Sequence, residues 1–375
     1  MVLILVTMSL SILASISDRS QRPAVRLWIP FALVLPWLVI YVLESVILLG
    51  EFPKYYEFVW PLMIVTFFLA APRVDDVCIF LARISVLTAL VSIALGIFGK
   101  GSMPYGWHKT DDKAIIGDAA LAGPYSHSNI LGLAMVLSIP FVLLALRGKE
   151  RLAGGILVCL ALVWSASRIS IVAATLVVLI LVTVKYARFR RPAQVLTGSW
   201  VVAAAAIVIV PLQTTQDSAF TNRGLIWKVT RFYVPDHPVL GWGAGVFQSP
   251  DNEFAAAIGS RAVTAHNMWL TVLAVGGWVA VAAVLIALVT VAVRFRFMYS
   301  INSIPAFFFL AFLLAEIAED PLRAWRLSPH AFIVWSGLAL AVCTFERKIR
   351  PGVSRVDSAT RTQQVTEHAP GRRRA

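Results

Sequence analysis

The side chains of this chain that can do polar chemistry gather where a largely apolar sequence breaks. Arg223 and Arg231 lie in Asn222-Arg223-Gly224-Leu225-Ile226-Trp227-Lys228-Val229-Thr230-Arg231, early in the longest polar interruption, Gln213 to Asn267. Arg261 and then Ala265-His266-Asn267 close that interruption. Arg168 ends Ser165-Ala166-Ser167-Arg168, and His127 stands in Gly123-Pro124-Tyr125-Ser126-His127-Ser128-Asn129. A guanidinium is permanently charged and offers a fork of donors that fits phosphate oxygens in pairs. An imidazole titrates near neutrality and can take the proton of a hydroxyl nucleophile. Arginines converging from separate elements would clamp a diphosphate, and His266 would serve as the base. His127 is the rival base, and His330 is a third candidate.

Each residue also has a plainer reading. Arg223 and Arg231 could simply solubilise an interfacial helix, Arg168 could snorkel, and His266 could be an interfacial aromatic anchor. The side of the membrane on which their elements place them separates these readings.

The 375 residues are 59% hydrophobic and 14% charged, with a mean hydropathy of +0.78, which indicates an integral membrane protein. Apolar runs fall at 1–17, 27–49, 58–71, 77–98, 129–146, 152–184, 195–212, 267–293, 303–318 and 330–344. The 152–184 run has basic flanks on both sides, Arg147, Lys149 and Arg151 before it and Lys185, Arg188, Arg190 and Arg191 after it. Two cytoplasmic flanks require an even number of crossings, hence a hairpin turning near Trp164 to Arg168. Its arms of about 16 residues span roughly 24 Å, short against a hydrocarbon core of about 30 Å. One tilted helix would instead put Arg168 at mid-membrane, at a cost of several kcal/mol.

The expected fold is therefore an all-α membrane protein of about eleven spans, with one large outer loop (213–266) that contains an interfacial amphipathic helix. About 21 Lys and Arg then face the cytoplasm and about 11 face outward, as the positive-inside rule asks. The net charge of +13 is explained by these flanks and by the tail, without nucleic acid. Residues 1–344 form the membrane domain, and 345–375 form a basic cytoplasmic tail expected to be disordered. The 99–128 loop, the Arg168 turn, the 213–266 loop and the 319–329 loop all fall on the outer side.

On a helix after Asn222, Leu225, Ile226, Val229, Phe232 and Tyr233 share an arc of about 100°. Arg223, Trp227, Thr230 and Arg231 oppose them, so the arginines are expected to face an aqueous vestibule while the apolar face lies in the interface. Outer loops usually avoid arginine, yet this one carries Arg223, Arg231 and Arg261. The glycines of Gly241-Trp242-Gly243-Ala244-Gly245 lack dinucleotide spacing and read as a turn, or as backbone amides open to an anion. Asp251, Glu253, Glu319 and Asp320 lie on the same side without DxD or paired spacing, so no metal or other cofactor is expected. Cys78, Cys159 and Cys343 all fall in apolar runs and form no CxxC pattern.

From Gly123 to Val279 these pieces resemble, in order, the O-antigen ligase/O-antigen polymerase superfamily of bacterial membrane glycosyltransferases. The likeness rests on the Gly123–Asn129 motif, the Ser165–Arg168 turn, Arg223 with Trp227, the Gly241–Phe247 element, and His266-Asn267 before Gly276-Gly277. The family usually has twelve helices, so the chain would be one short. The resemblance implies glycan transfer from a polyprenyl-diphosphate donor to an acceptor hydroxyl, on the outer face of the cytoplasmic membrane. His266 would be the base, with Arg223 and Arg168 on the diphosphate. Asn129, His127, Arg231, Trp227, Asn267 and Arg261 would contact substrate, and the anomeric centre would invert without a metal. The rival is a transporter of lipid-linked sugars or a small anion, which would place charge through the middle of its spans. Few charges lie there, Arg83 and Glu44 among them. A scaffold within an envelope complex is a third reading, for which no residue speaks.

Overall fold

The computed structural model describes residues 27–48, 50, 52, 55–100, 114–187, 189–247, 253–258, 264–323, 328 and 330–345. The first apolar run, Arg261, Asp251 and most of the C-terminal tail lie outside them. Contacts divide the chain into Met1–Thr344 and Phe345–Ala375, and every helix below belongs to the first unit. The regular structure among the described residues is helical, joined by turns and loops, apart from an isolated bridge between Arg73 and Thr344.

The helices are α1 Trp28–Trp37, which continues as a π-wound segment Leu38–Leu48, α2 Val59–Ala70, α3 Val74–Ile97, α4 Ser128–Ala145, α5 Gly148–Trp164 and α6 Arg168–Tyr186. There follow α7 Pro192–Gln213, α8 Ala219–Tyr233, α9 Glu253–Ile258, α10 Met268–Met298, α11 Ile304–Ala315 and α12 Ala331–Ala339. Five are long and apolar enough to cross a membrane, namely α3, α4, α6, α7 and α10. The expectation of eleven spans rests on the charge pattern. The 152–184 run does divide where the sequence put its turn: α5 ends at Trp164, Ala166 takes a left-handed φ of 53°, and α6 starts at Arg168.

At the centre stands α11, with 11 of its 12 residues buried, which explains why its sequence is apolar all round and not amphipathic. It packs against α4, α6, α7, α10 and α12. Phe308 fits against Gly337 of α12, where any side chain would collide with its ring. Farther out, α6 and α7 leave Leu176, Leu179, Val182, Val201, Val202 and Ile209 exposed, an apolar surface suited to lipid.

The longest helix, α10, is broken at Gly276 and Gly277 (φ 58°, ψ −158°). A break inside a membrane helix frees backbone groups that need new partners. The 238–243 segment supplies them. Trp242 N donates to Ala274 O at 2.8 Å and Gly243 N to Val275 O at 2.9 Å, while Trp278 N donates to Pro238 O at 2.9 Å. A Cβ on Gly241 would come within 2.6 Å of Gly276 N, and one on Gly277 within 2.7 Å of Gly241 N. The amides of Trp242 and Gly243, read from sequence as open to an anion, are thus spent on α10.

Candidate functional site

The loop that ends the long polar interruption is fixed from several directions. Asn267 is fully buried, and its Oδ1 caps α10 by accepting from Leu270 N at 3.0 Å. Its amide donates to Ile207 O of α7 and to Ile317 O beyond α11, each at 2.9 Å. Trp227 of α8, also fully buried, donates its indole N–H to Ala265 O at 2.8 Å, and Thr271 Oγ1 accepts from Ala265 N at 3.1 Å. Between these anchors His266 is held at a φ of 52°, a left-handed conformation that costs a non-glycine residue about 1–3 kcal/mol.

The shape of α8 follows from its first turn. Phe220, Thr221 and Asn222 are left-handed, so the regular helix begins at Arg223. Gly224 lies against the backbone of Gln216, where a side chain would strike the carbonyl oxygen, and Leu225 N donates to Asp217 O at 3.1 Å. The helix buries Arg223, Gly224, Trp227 and Thr230, while Leu225 and Phe232 are exposed. The polar stripe is as expected, but it faces protein and not an open vestibule. The reason is that Trp227 and Arg223 have partners in the His266 loop and beyond α11.

Arg223 and His266 meet at Glu319, just past the C-terminal end of α11. Arg223 Nη2 donates to Glu319 Oε1, and His266 Nδ1 lies 3.4 Å from Glu319 Oε2. A carboxylate only accepts, so Nδ1 carries the hydrogen and Nε2 keeps its lone pair. The Arg223 and Glu319 side chains are 7% and 9% exposed, while that of His266 is 25% exposed, so the imidazole is the open edge of the group. Arg223 Nη1 is buried and makes no hydrogen bond to a described residue. It is a charged donor left available at the site.

Electrostatics set the charge states. Burial pushes the Glu319 carboxyl up, but Arg223 and then His266 outweigh it and hold the group at about 2, ionised. Burial draws the His266 imidazole below its ordinary value. Its bond to Glu319 and the charge of Glu319 oppose this, and Arg223 and Arg323 add to it, so the base form prevails at neutral pH. Next door, burial raises Asp320 to about 6 against the pull of Arg323, whose Nε lies 3.9 Å away.

The remaining candidates fall into two groups. Arg231 donates to the carbonyls of Pro211, Leu212 and Thr214 at 2.6–2.9 Å, closing the C-terminal end of α7 and not facing a vestibule beside Arg223. Asn267 and Trp227 are buried framework for His266. His127 caps α4, its Nδ1 accepting from Asn129 N at 3.0 Å, and Arg168 is an exposed first residue of α6. These two segments pack together: Leu121 N donates to Trp164 O at 3.0 Å, and a Cβ on Gly132 would stand 2.5 Å from Ser167 Cβ. Glu319, central to the geometry, was visible in the sequence only as one outer carboxylate among four. Its spacing to the other carboxylates carries no metal-binding pattern, and Glu319 pairs instead with residues distant in the chain.

Comparison with known proteins gives one family. Residues 152–285 match the model of the family described as O-antigen ligase. The matched stretch contains Arg168, Arg223, Trp227, Arg231, His266 and Asn267, while Glu319 lies beyond it. No curated protein matches the chain.

Proposed function

We propose that this chain, which belongs to the O-antigen ligase/polymerase superfamily, moves a glycan from a polyprenyl-diphosphate donor to an acceptor hydroxyl at the outer face of the cytoplasmic membrane. The observation that carries the reading is the sharing of Glu319 by a histidine whose Nε2 keeps its lone pair and an arginine whose Nη1 has no hydrogen-bond partner among the described residues. His266 Nε2 takes the proton of the acceptor hydroxyl as its oxygen bonds to the anomeric carbon. The bond from that carbon to the diphosphate oxygen breaks, and its electron pair leaves with the diphosphate. Arg223 Nη1 donates to the oxygens on which charge builds, a stabilisation that usually supplies the largest share of such catalysis. Attack opposite the leaving group inverts the anomeric centre. Glu319 keeps Nδ1 protonated and the ring oriented, as the carboxylate does in a Ser-His-Asp triad. Arg168 would be a second phosphate ligand. The arginines supply the positive charge that a divalent ion would otherwise bring, so the reaction is proposed to be metal-independent.

The test is transfer by purified protein in lipid nanodiscs, using a polyprenyl-diphosphate glycan and its acceptor. His266→Ala should lose about 10²- to 10⁴-fold in rate while inserting normally. A fully active variant would remove His266 as the base. Excess chelator should leave the wild-type rate unchanged, and inactivation restored by a divalent ion would refute metal independence. Movement of the lipid-linked glycan across liposomes, with no new glycosidic bond, would favour a transporter.

A further inference from the structure

A cavity of about 40 Å³ lies between α3, α4 and the start of α12, and reaches the Glu319–Pro321 turn only through His330. Ser85 and Thr88 of α3, Ala134, Met135 and Ser138 of α4, Tyr125 of the Gly123–Asn129 motif and His330, Phe332 and Ile333 line it. His330 is 2% exposed, and neither ring nitrogen reaches full hydrogen-bond geometry with a described residue, although the backbones of Asp320 and Pro321 interact with the ring. Ser85, Thr88 and Ser138 donate to the carbonyls of Leu81, Ile84 and Ala134 in their own helices, which leaves hydroxyl lone pairs as acceptors. The phenol of Tyr125, pushed up to about 12 by burial, stays protonated and adds a donor. The volume is too small for a sugar ring and suits about two waters, each of which needs two to four polar partners. The lining offers that number.

We propose that this cavity is a water-binding site anchored by His330, and that the water and His330 together hold the Glu319–Pro321 turn so that Glu319 meets His266. His330 is a positioning residue here, remote from the reacting atoms. As a neutral ring it offers one donor and one acceptor. The charged and titratable groups around it are Glu319, Asp320, Arg323 and Tyr125. The water site stands on the cavity alone, whereas its positioning role rests on the reading of Glu319 and His266 given above.

A cryo-EM map of the full chain in nanodiscs, at a resolution that shows water elsewhere in the bundle, tests the first part. Density within hydrogen-bond distance of His330 is expected, and its absence overturns the site whatever the protein's activity. Transfer kinetics test the second part. His330→Phe should fill the cavity, lower kcat about tenfold with KM unchanged, and move the acid limb of the pH profile down. The direction follows because Glu319 raises the pKa of His266 and its support is withdrawn. His330→Gln, which keeps a donor and an acceptor, should recover most of the rate. Thr88→Val with Ser138→Ala removes two acceptors at little change of volume, and should weaken the density and lower kcat in the same sense even if His330→Phe fails to fold. A well-folded His330→Phe protein with wild-type kcat and pH profile would show that His330 positions nothing.

Discussion

Glu319 has two partners, which makes its own replacement informative. Changing it to Gln replaces a charged group that only accepts with a neutral amide that can accept or donate, so His266 Nδ1 is no longer held protonated and either tautomer becomes available. Transfer should fall by about 10² to 10⁴. The pH profile should report the same loss. A base must be neutral, so wild-type activity rises with pH through a limb below about 6.5, the ordinary histidine value, because burial lowers His266. Without Glu319, whose bond and charge raise that value, the limb moves to still lower pH, even as the plateau drops. A limb that stays fixed would mean that His266 is not the group that titrates. Arg223→Lys belongs to the same scale. An ammonium keeps the charge but not the fork that serves Glu319 and a phosphate together, so a loss of about 10²-fold is expected in the transfer assay. Sequence could nominate Arg223 and His266, because residue type and helical phase are local. It could not nominate Glu319 over Asp251, Glu253 or Asp320, because the choice depends on where the end of α11 comes to rest.

Elements explain why these residues hold their places. Glu319 follows α11, the most enclosed helix described, and His266 precedes α10, whose N-terminal part is fixed by the 238–243 segment. That segment was legible as glycine-rich but not as a partner. Nothing in Gly241-Trp242-Gly243 names the broken turn at Gly276-Gly277, and both halves of the pair look like turns when read alone. The hairpin break at Ser165–Ser167 was legible for the opposite reason, since its basic flanks and polar turn are all contiguous. The pairing makes a sharp prediction. Gly277 has a φ/ψ combination open essentially to glycine only, and a Cβ there would also strike the Val239 backbone. Gly277→Ala should therefore destabilise the protein by at least about 1–3 kcal/mol, read as a fall in thermal midpoint in detergent. Gly241→Ala should act on the same contact, so the double variant should lose less than the sum of the two. Strict additivity would show that the two glycines do not share one interface.

At the scale of the whole molecule, the proposal requires that α8, α9 and the His266 loop face away from the cytoplasm while the basic ends of α6 and α7 face toward it. The charge pattern supports that direction, for Lys185, Arg190 and Arg191 cluster at one end of the α6–α7 pair. The opposite end of α7 receives Arg231, so an arginine on the outer side is accounted for by a helix terminus and does not weaken the bias. Thiol labelling separates the two orientations. Cys159 is exposed on α5 while Cys78 and Cys343 are buried, so Cys159→Ala gives a quiet background. Glu253 and Arg190 are both exposed and lie on the two predicted sides. A cysteine replacing Glu253 should react with a membrane-impermeant maleimide in intact spheroplasts, and one replacing Arg190 should react only after permeabilisation. The reverse pattern would put His266 and Arg223 on the cytoplasmic side, where nucleotide-activated sugars and not an externally presented lipid-linked glycan would be the donors at hand, and the proposed donor would have to be given up.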